Sequence, residues 1–197
     1  MPFSIAISIP PVSDLQMGII RGVLEYVSHH ADMTVYKEGA MPFLPWESLR
    51  RWRGDGVIVT AETAERARQL ARRTIPAVSV SGHQDPHDGL PAVLTDNRAI
   101  GCTVAKHLME QGLKRFACVG YFGWYHDRVR LAGFREAVEQ SGCPCEQINV
   151  KLAPRSARRP FGLFAIRQRD LLKDRIQRLS GPAGICVTHD DFAHEVI

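Results

Sequence analysis

Apolar positions along this chain switch repeatedly between a period of two and a period near 3.6. Ile5, Ile7 and Ile9 fall on alternate positions and predict a strand over residues 3–9. Ile19, Ile20, Val23, Leu24 and Val27 then form one stripe, so a helix is expected there, with Ser13 or Asp14 as its cap. Residues 33–36 read as a second strand, and Leu49 and Trp52 mark a short helix after the Pro45-Trp46 loop. Gly54-Asp55-Gly56 is a turn into a buried strand over 57–59. A helix over 63–73, a strand over 77–80 and a polar loop over 81–91 come next, followed by a strand at Val93 and Leu94.

The rhythm continues beyond Asp96. Ile100, Val104 and Leu108 predict a helix that stops at Gly112, and residues 116–119 predict a strand. An aromatic-rich loop runs to Asp127, and a helix over 128–141 turns Leu131, Phe134 and Val138 inward. A strand over 148–152, a basic loop over 154–160 and a helix through Leu172, Ile176 and Leu179 complete the next unit. A strand over 184–187 ends at His189-Asp190, and a last helix begins near Phe192. Such alternation predicts an α/β fold of parallel sheets with helices on both faces. The lobe boundary is expected at 112–115, giving a first lobe of residues 1–113 and a second of 114–197. Ligands of such sheets bind beyond the carboxyl ends of the strands. The polar residues there are Ser13, Asp14, Glu62, Asp96, Asn97, Asp127, Arg128, Arg130, His189 and Asp190.

Composition narrows the class. At 197 residues and 45% apolar, the chain can bury a real core, and no apolar run is long enough for a membrane span. The start, Met1-Pro2-Phe3-Ser4, has no basic segment of a secretory signal, so a cytoplasmic location is expected. Of five cysteines, Cys102, Cys118 and Cys186 sit among apolar residues as small hydrophobes, and Cys143 and Cys145 are too close for an easy mutual disulfide. The net charge is +4, with nine basic residues between Lys151 and Arg178 against Asp170 and Asp174. A solvated face explains that run better than a nucleic-acid surface.

Thr95-Asp96-Asn97-Arg98-Ala99-Ile100-Gly101 places a carboxylate between a strand end and a helix. Together with His107-Leu108, Gly112-Leu113-Lys114-Arg115-Phe116 and Val119-Gly120, and with Arg130-Leu131-Ala132-Gly133-Phe134, this order resembles the LacI/GalR family. Residues 21–26, 49–58 and 114–117 are similar to the xylose-operon regulator group within it. The resemblance implies a two-lobed periplasmic-binding-protein-like fold that closes on a sugar, here a pentose such as xylose. It implies ligand roles for Asp96, Arg130 and Asp190. His189 stands where the family often carries Asn, and Leu15 and Met17 stand where the xylose group often has an aromatic and a basic residue. A truncated second lobe is expected, with operator DNA contacted only through a domain absent from this chain, and a homodimer is open.

The residue chemistry agrees with a polyol. Arg130 offers a planar fork of donors, Asp96 and Asp190 accept, and Trp124, Tyr125 and Phe122 could cover a sugar face. His189, Glu62 and Asp14 complete the candidate ligand set, although Glu62 also reads as a helix-start acid. His83, Asp85 and His87 lie in a Gly/Pro-rich loop and read as solvent-facing rather than as a metal set. No catalytic residue, metal or cofactor is expected, since the chain shows no nucleophile elbow and no phosphate-loop lysine. A transport receptor and a sugar-modifying enzyme remain as alternatives to a regulator.

Overall fold

The alternation read from the sequence resolves into two parallel sheets. The computed structural model describes residues 2–39, 43–83, 85, 89–150, 169–179, 181–190 and 193–194. Packing divides the chain into two units, Met1–Leu94 and Thr95–Ile197.

In the first unit, β1 (Phe3–Ser8), β2 (Met33–Tyr36), β3 (Gly56–Val59) and β4 (Ala77–Ser79) form a sheet of order β2-β1-β3-β4. Every pairing in it is parallel, with Ile5 opposite both Val35 and Gly56. The period of two then sorts the side chains. Ala6, Val57 and Val59 face one cluster with Leu49, Ala67 and Leu70, while Ile7 and Ile9 face another with Ile20. Ile20 comes from α1 (Asp14–Ser28), and Ala67 and Leu70 from α3 (Ala64–Ala71). The short α2 (Trp46–Leu49) supplies Leu49. Ser13 caps α1 by accepting from the Gln16 N–H, and Thr63 caps α3 in the same way from Arg66. Val93 and Leu94 do not form the expected strand. Only Ala92 bridges to Ser79, and Val93 is exposed.

The second unit holds β5 (Phe116–Gly120), β6 (Cys145–Asn149) and β7 (Gly184–Val187) in the order β6-β5-β7, again parallel. All five residues of the central β5 are buried, as both faces of a covered parallel strand should be. Phe116 and Cys118 face α4 (Asn97–Glu110) and α5 (Tyr125–Gln140); Ala117 and Val119 face Leu172 and Ile176 of α6 (Arg169–Gln177). Two boundaries differ from the sequence pattern. β6 starts at Cys145, before the apolar Ile148, because its register with β5 pairs Cys145 with Phe116. α5 starts at Tyr125 because Asp127, in its first turn, is drawn inward by backbone and side-chain donors. The basic segment 151–168 lies outside the described residues.

Two glycines set how α4 meets α5. A Cβ on Gly101 would collide with the Arg130 carbonyl, and one on Gly133 would come within 2.5 Å of the Arg98 carbonyl. The helices therefore cross with backbone close to backbone, which brings the first turn of α4 beside Arg130.

Candidate functional site

The sheet order β6-β5-β7 puts the central strand first in sequence, so the chain leaves β5 toward one side and later returns on the other. The loops after β5 and β7 flank this switch point, where α/β sheets open a crevice at their carboxyl end. Two groups of polar residues lie there, joined through Thr188.

Asp127 lies at the centre. Its side chain is fully buried, a costly place for a carboxylate unless its oxygens are bonded. Oδ2 accepts from the Tyr121 N–H at 2.9 Å and from the Thr188 hydroxyl at 2.9 Å. Oδ1 lies 3.1 Å from Nε2 of both His126 and His189. Burial by itself would raise the Asp127 pKa. The hydrogen bonds and charge of the two histidines outweigh it and hold the carboxyl well below the usual carboxylate range. Trp124, the residue before α5, stacks on His126 and meets His189 edge-on.

Arg130 is one turn further along α5. Its Nη1 donates to the Thr188 carbonyl and its Nη2 to Asn97 Oδ1, both at 2.8 Å. Nε is buried with no acceptor among the described residues. Asn97 is itself buried, and its amide also donates to the Thr95 carbonyl. The guanidinium thus ties the residue after Asp96 to the second residue before Asp190. Both aspartates are exposed. Asp96 caps α4 by accepting from the Ala99 N–H at 2.9 Å, and one carboxylate oxygen can serve that bond while the other faces solvent.

The structure therefore places Asp96, Arg130, Asp190, His189 and Trp124 in the second unit, with Arg130 and His189 joined through Thr188 and Asp127. Asp14 and Glu62 belong to the first unit. Asp14 is the exposed first residue of α1, and Glu62 pairs with Arg66 at 3.1 Å, whose guanidinium lies over Trp46. Arg128 points its guanidinium at the Phe122 carbonyl and the Tyr125 ring. His126, Asn97 and Thr188 were absent from the expected ligand set, as was Asp127. The signal for Asp127 was its place in the first helical turn after a buried strand. No local pattern pointed to His126 or Thr188, whose partners lie far along the chain. The cysteines among these residues are all free thiols, and burial pushes Cys186 up to about 12. Among the described residues, no helix is long and apolar enough to cross a membrane.

Comparison with known proteins agrees with this architecture. Residues 105–197 match the family of periplasmic binding protein-like domains. The xylose operon regulatory protein of Escherichia coli strain K12 is 34% identical over 77 residues, which is 38% of this chain and 20% of that protein. Among solved structures, a xylose-binding transcription activator superposes with a TM-score of 0.76 at 22% identity, covering 100% of this chain and 49% of the other. A solute-binding protein of an ABC transporter from Burkholderia multivorans gives 0.70 at 14% identity, over 99% of this chain and 73% of that one. At these identities the structural matches establish the fold. The chain spans about half the length of the activator, and its alignment reaches a fifth of the curated regulator.

Proposed function

We propose, on the premise that residues 105–197 form a periplasmic-binding-protein-like domain of the LacI type, that this chain is the effector-binding portion of a sugar-responsive transcription regulator. The observation that carries the proposal is Arg130, held by Asn97 and Thr188 at the carboxyl edge of the second sheet between the segments bearing Asp96 and Asp190. The guanidinium is fixed by two neutral acceptors, and Asp96 and Asp190, in the two segments it ties together, supply further acceptors. That set suits vicinal hydroxyls, which both donate and accept.

On this reading the two packed units, residues 1–94 and 95–197, are the two lobes, the second starting with α4 rather than at the expected 114 because α4 packs on α5. Asp96, Arg130, Asp190 and His189 hold the sugar, and Trp124 covers one of its faces. The effector is a pentose, with xylose the first to test, because the curated relative regulates a xylose operon. The protein works in the cytoplasm and binds without turnover. Differential affinity of the open and closed forms for the sugar transmits the signal, and operator DNA is contacted through a separate domain. A transport receptor is the second reading, supported by the match to a transporter's solute-binding protein.

Calorimetric titration of the chain with xylose, arabinose and ribose tests the assignment. Saturable binding of one pentose is expected. Arg130→Ala should lose roughly 1.5–3 kcal/mol, about one to two decades in affinity, and Arg130→Lys should recover only part of it. Wild-type affinity in a folded Arg130→Ala variant would remove Arg130 from the site. Release of a chemically altered sugar would replace the binding reading with an enzymatic one.

A further inference from the structure

The two histidines around Asp127 pose a problem that hydrogen bonding alone does not solve. Asp127 Oδ1, His126 Nε2 and His189 Nε2 form a triangle with sides of 3.1, 3.1 and 3.0 Å. Each side is a hydrogen-bond length, so each would need a proton between its ends. A proton on Asp127 Oδ1 would serve one side only. Each Nε2 carries at most one proton, and a nitrogen that donates with that proton cannot also accept. Two protonated rings can both donate to Oδ1, but their N–H groups then face each other across 3.0 Å. One protonated ring leaves a lone pair facing a lone pair. No distribution of protons satisfies all three sides.

A cation at the centre removes the conflict, because all three lone pairs can then point inward. We infer that His126, Asp127 and His189 form a binding site for a divalent transition-metal ion of the zinc class. Ligand atoms about 2.0–2.1 Å from a tetrahedral zinc ion lie roughly 3.3 Å from one another. The observed triangle needs to widen by only a few tenths of an ångström. Two imidazole nitrogens and one carboxylate oxygen are ligands suited to zinc, and three protein ligands leave the fourth position open.

The surroundings support the same assignment. The second oxygen of Asp127 is already fixed by the Tyr121 N–H and the Thr188 hydroxyl, the outer bonds that orient a metal-binding carboxylate. Trp124 stacks on the His126 ring and limits its rotation. The His126 and Asp127 side chains are 11% and 0% exposed, whereas that of His189 is 31% exposed, so the site is walled on one side and reachable on the other. The ligands come from the first turn of α5 and from just past the end of β7, both parts of one sheet unit. The site shares His189 with the proposed sugar site, but its geometry stands without the pentose assignment.

The test uses the full chain stripped with a chelator and titrated with Zn²⁺ in a calorimeter and with Co²⁺ in a spectrophotometer. One ion per chain is expected, with the visible d–d bands of cobalt on nitrogen and oxygen ligands and no thiolate-to-cobalt band. His126→Gln and His189→Gln should each abolish uptake, and Thr188→Val should weaken it about tenfold. On the wild-type protein, Zn²⁺ should also protect His126 and His189 from carbethoxylation by diethyl pyrocarbonate, read by mass spectrometry. That measurement decides the matter if a variant fails to fold. Absence of metal uptake by the wild type, a thiolate band, undiminished uptake in both histidine variants, or lack of protection at both rings would each overturn the assignment. Pentose binding that fails while zinc binds would reject only the sugar-sensor reading.

Discussion

The carboxyl edges of the two sheets are built from similar residue types but bonded in opposite ways. In the first unit, Ser13 and Glu62 have partners close by in the chain. Ser13 caps the helix it precedes, and Glu62 pairs with Arg66 four residues on. In the second unit, the bonds run between distant parts of the chain. Arg130 reaches Asn97 and Thr188 across 33 and 58 positions, and Asp127 reaches Thr188 and His189 across 61 and 62. Local bonds near solvent compete with water and contribute little. A buried carboxylate and its donors have no such substitute, so each partner removed leaves another stranded. Polar residues at a strand end therefore mean different things depending on where their partners lie.

The largest test of this contrast is Asp127→Ala. It strands the Tyr121 N–H and the Thr188 hydroxyl and removes the carboxylate that both imidazoles face, and about 3–5 kcal/mol of stability should disappear in a urea melt. A loss below about 1 kcal/mol would mean that water replaces the carboxylate and that the second edge resembles the first. Next comes the α4–α5 crossing. Gly101→Ala forces a methyl against the Arg130 carbonyl, and overpacking of this kind costs about 1–3 kcal/mol. The same change at Gly22 in α1 meets nothing within 4 Å and should stabilise by roughly 0.5–1 kcal/mol. Opposite signs from one substitution type would confirm that these glycines serve different purposes. Equal signs would show that the helices can slide apart.

Smaller effects belong to the first unit. Ser13→Ala removes the α1 cap and should cost about 1 kcal/mol by chemical denaturation, with Ser13→Asn close to wild type. Glu62→Gln breaks a partly exposed i,i+4 pair and should change stability by less than about 1 kcal/mol, shrinking further in high salt. A larger, salt-insensitive loss would show that Glu62 is held as firmly as Asp127.

Much of the fold was legible because periodicity reports burial directly. The alternation of Ile5, Ile7 and Ile9 marked β1, and the stripe of Leu131, Phe134 and Val138 marked the inward face of α5. Element limits were less legible where burial and apolar character part company. β6 buries only Ile148 among its residues, and its start is set by pairing with β5. Val93 is apolar yet exposed, so a strand pattern there formed a single bridge beside Ala92.

For the site, the sequence by itself determined the inventory and the positions along each element. Asp96 precedes a helix, Arg130 lies in the first turns of α5, and His189 and Asp190 follow a buried strand. Those placements follow from local rules of capping and hydrophobic period, which act within a few residues. Only the tertiary structure decided which of these groups share partners. It drew Asp127 inside, joined Arg130 to Asn97 and Thr188, and set His126 against His189. These pairings depend on the parallel register of β5 with β7 and on the close crossing permitted by Gly101 and Gly133. Each is a consequence of packing between segments some 30 to 60 residues apart, and hydrophobic periodicity within a segment carries no information about which distant polar group will meet it.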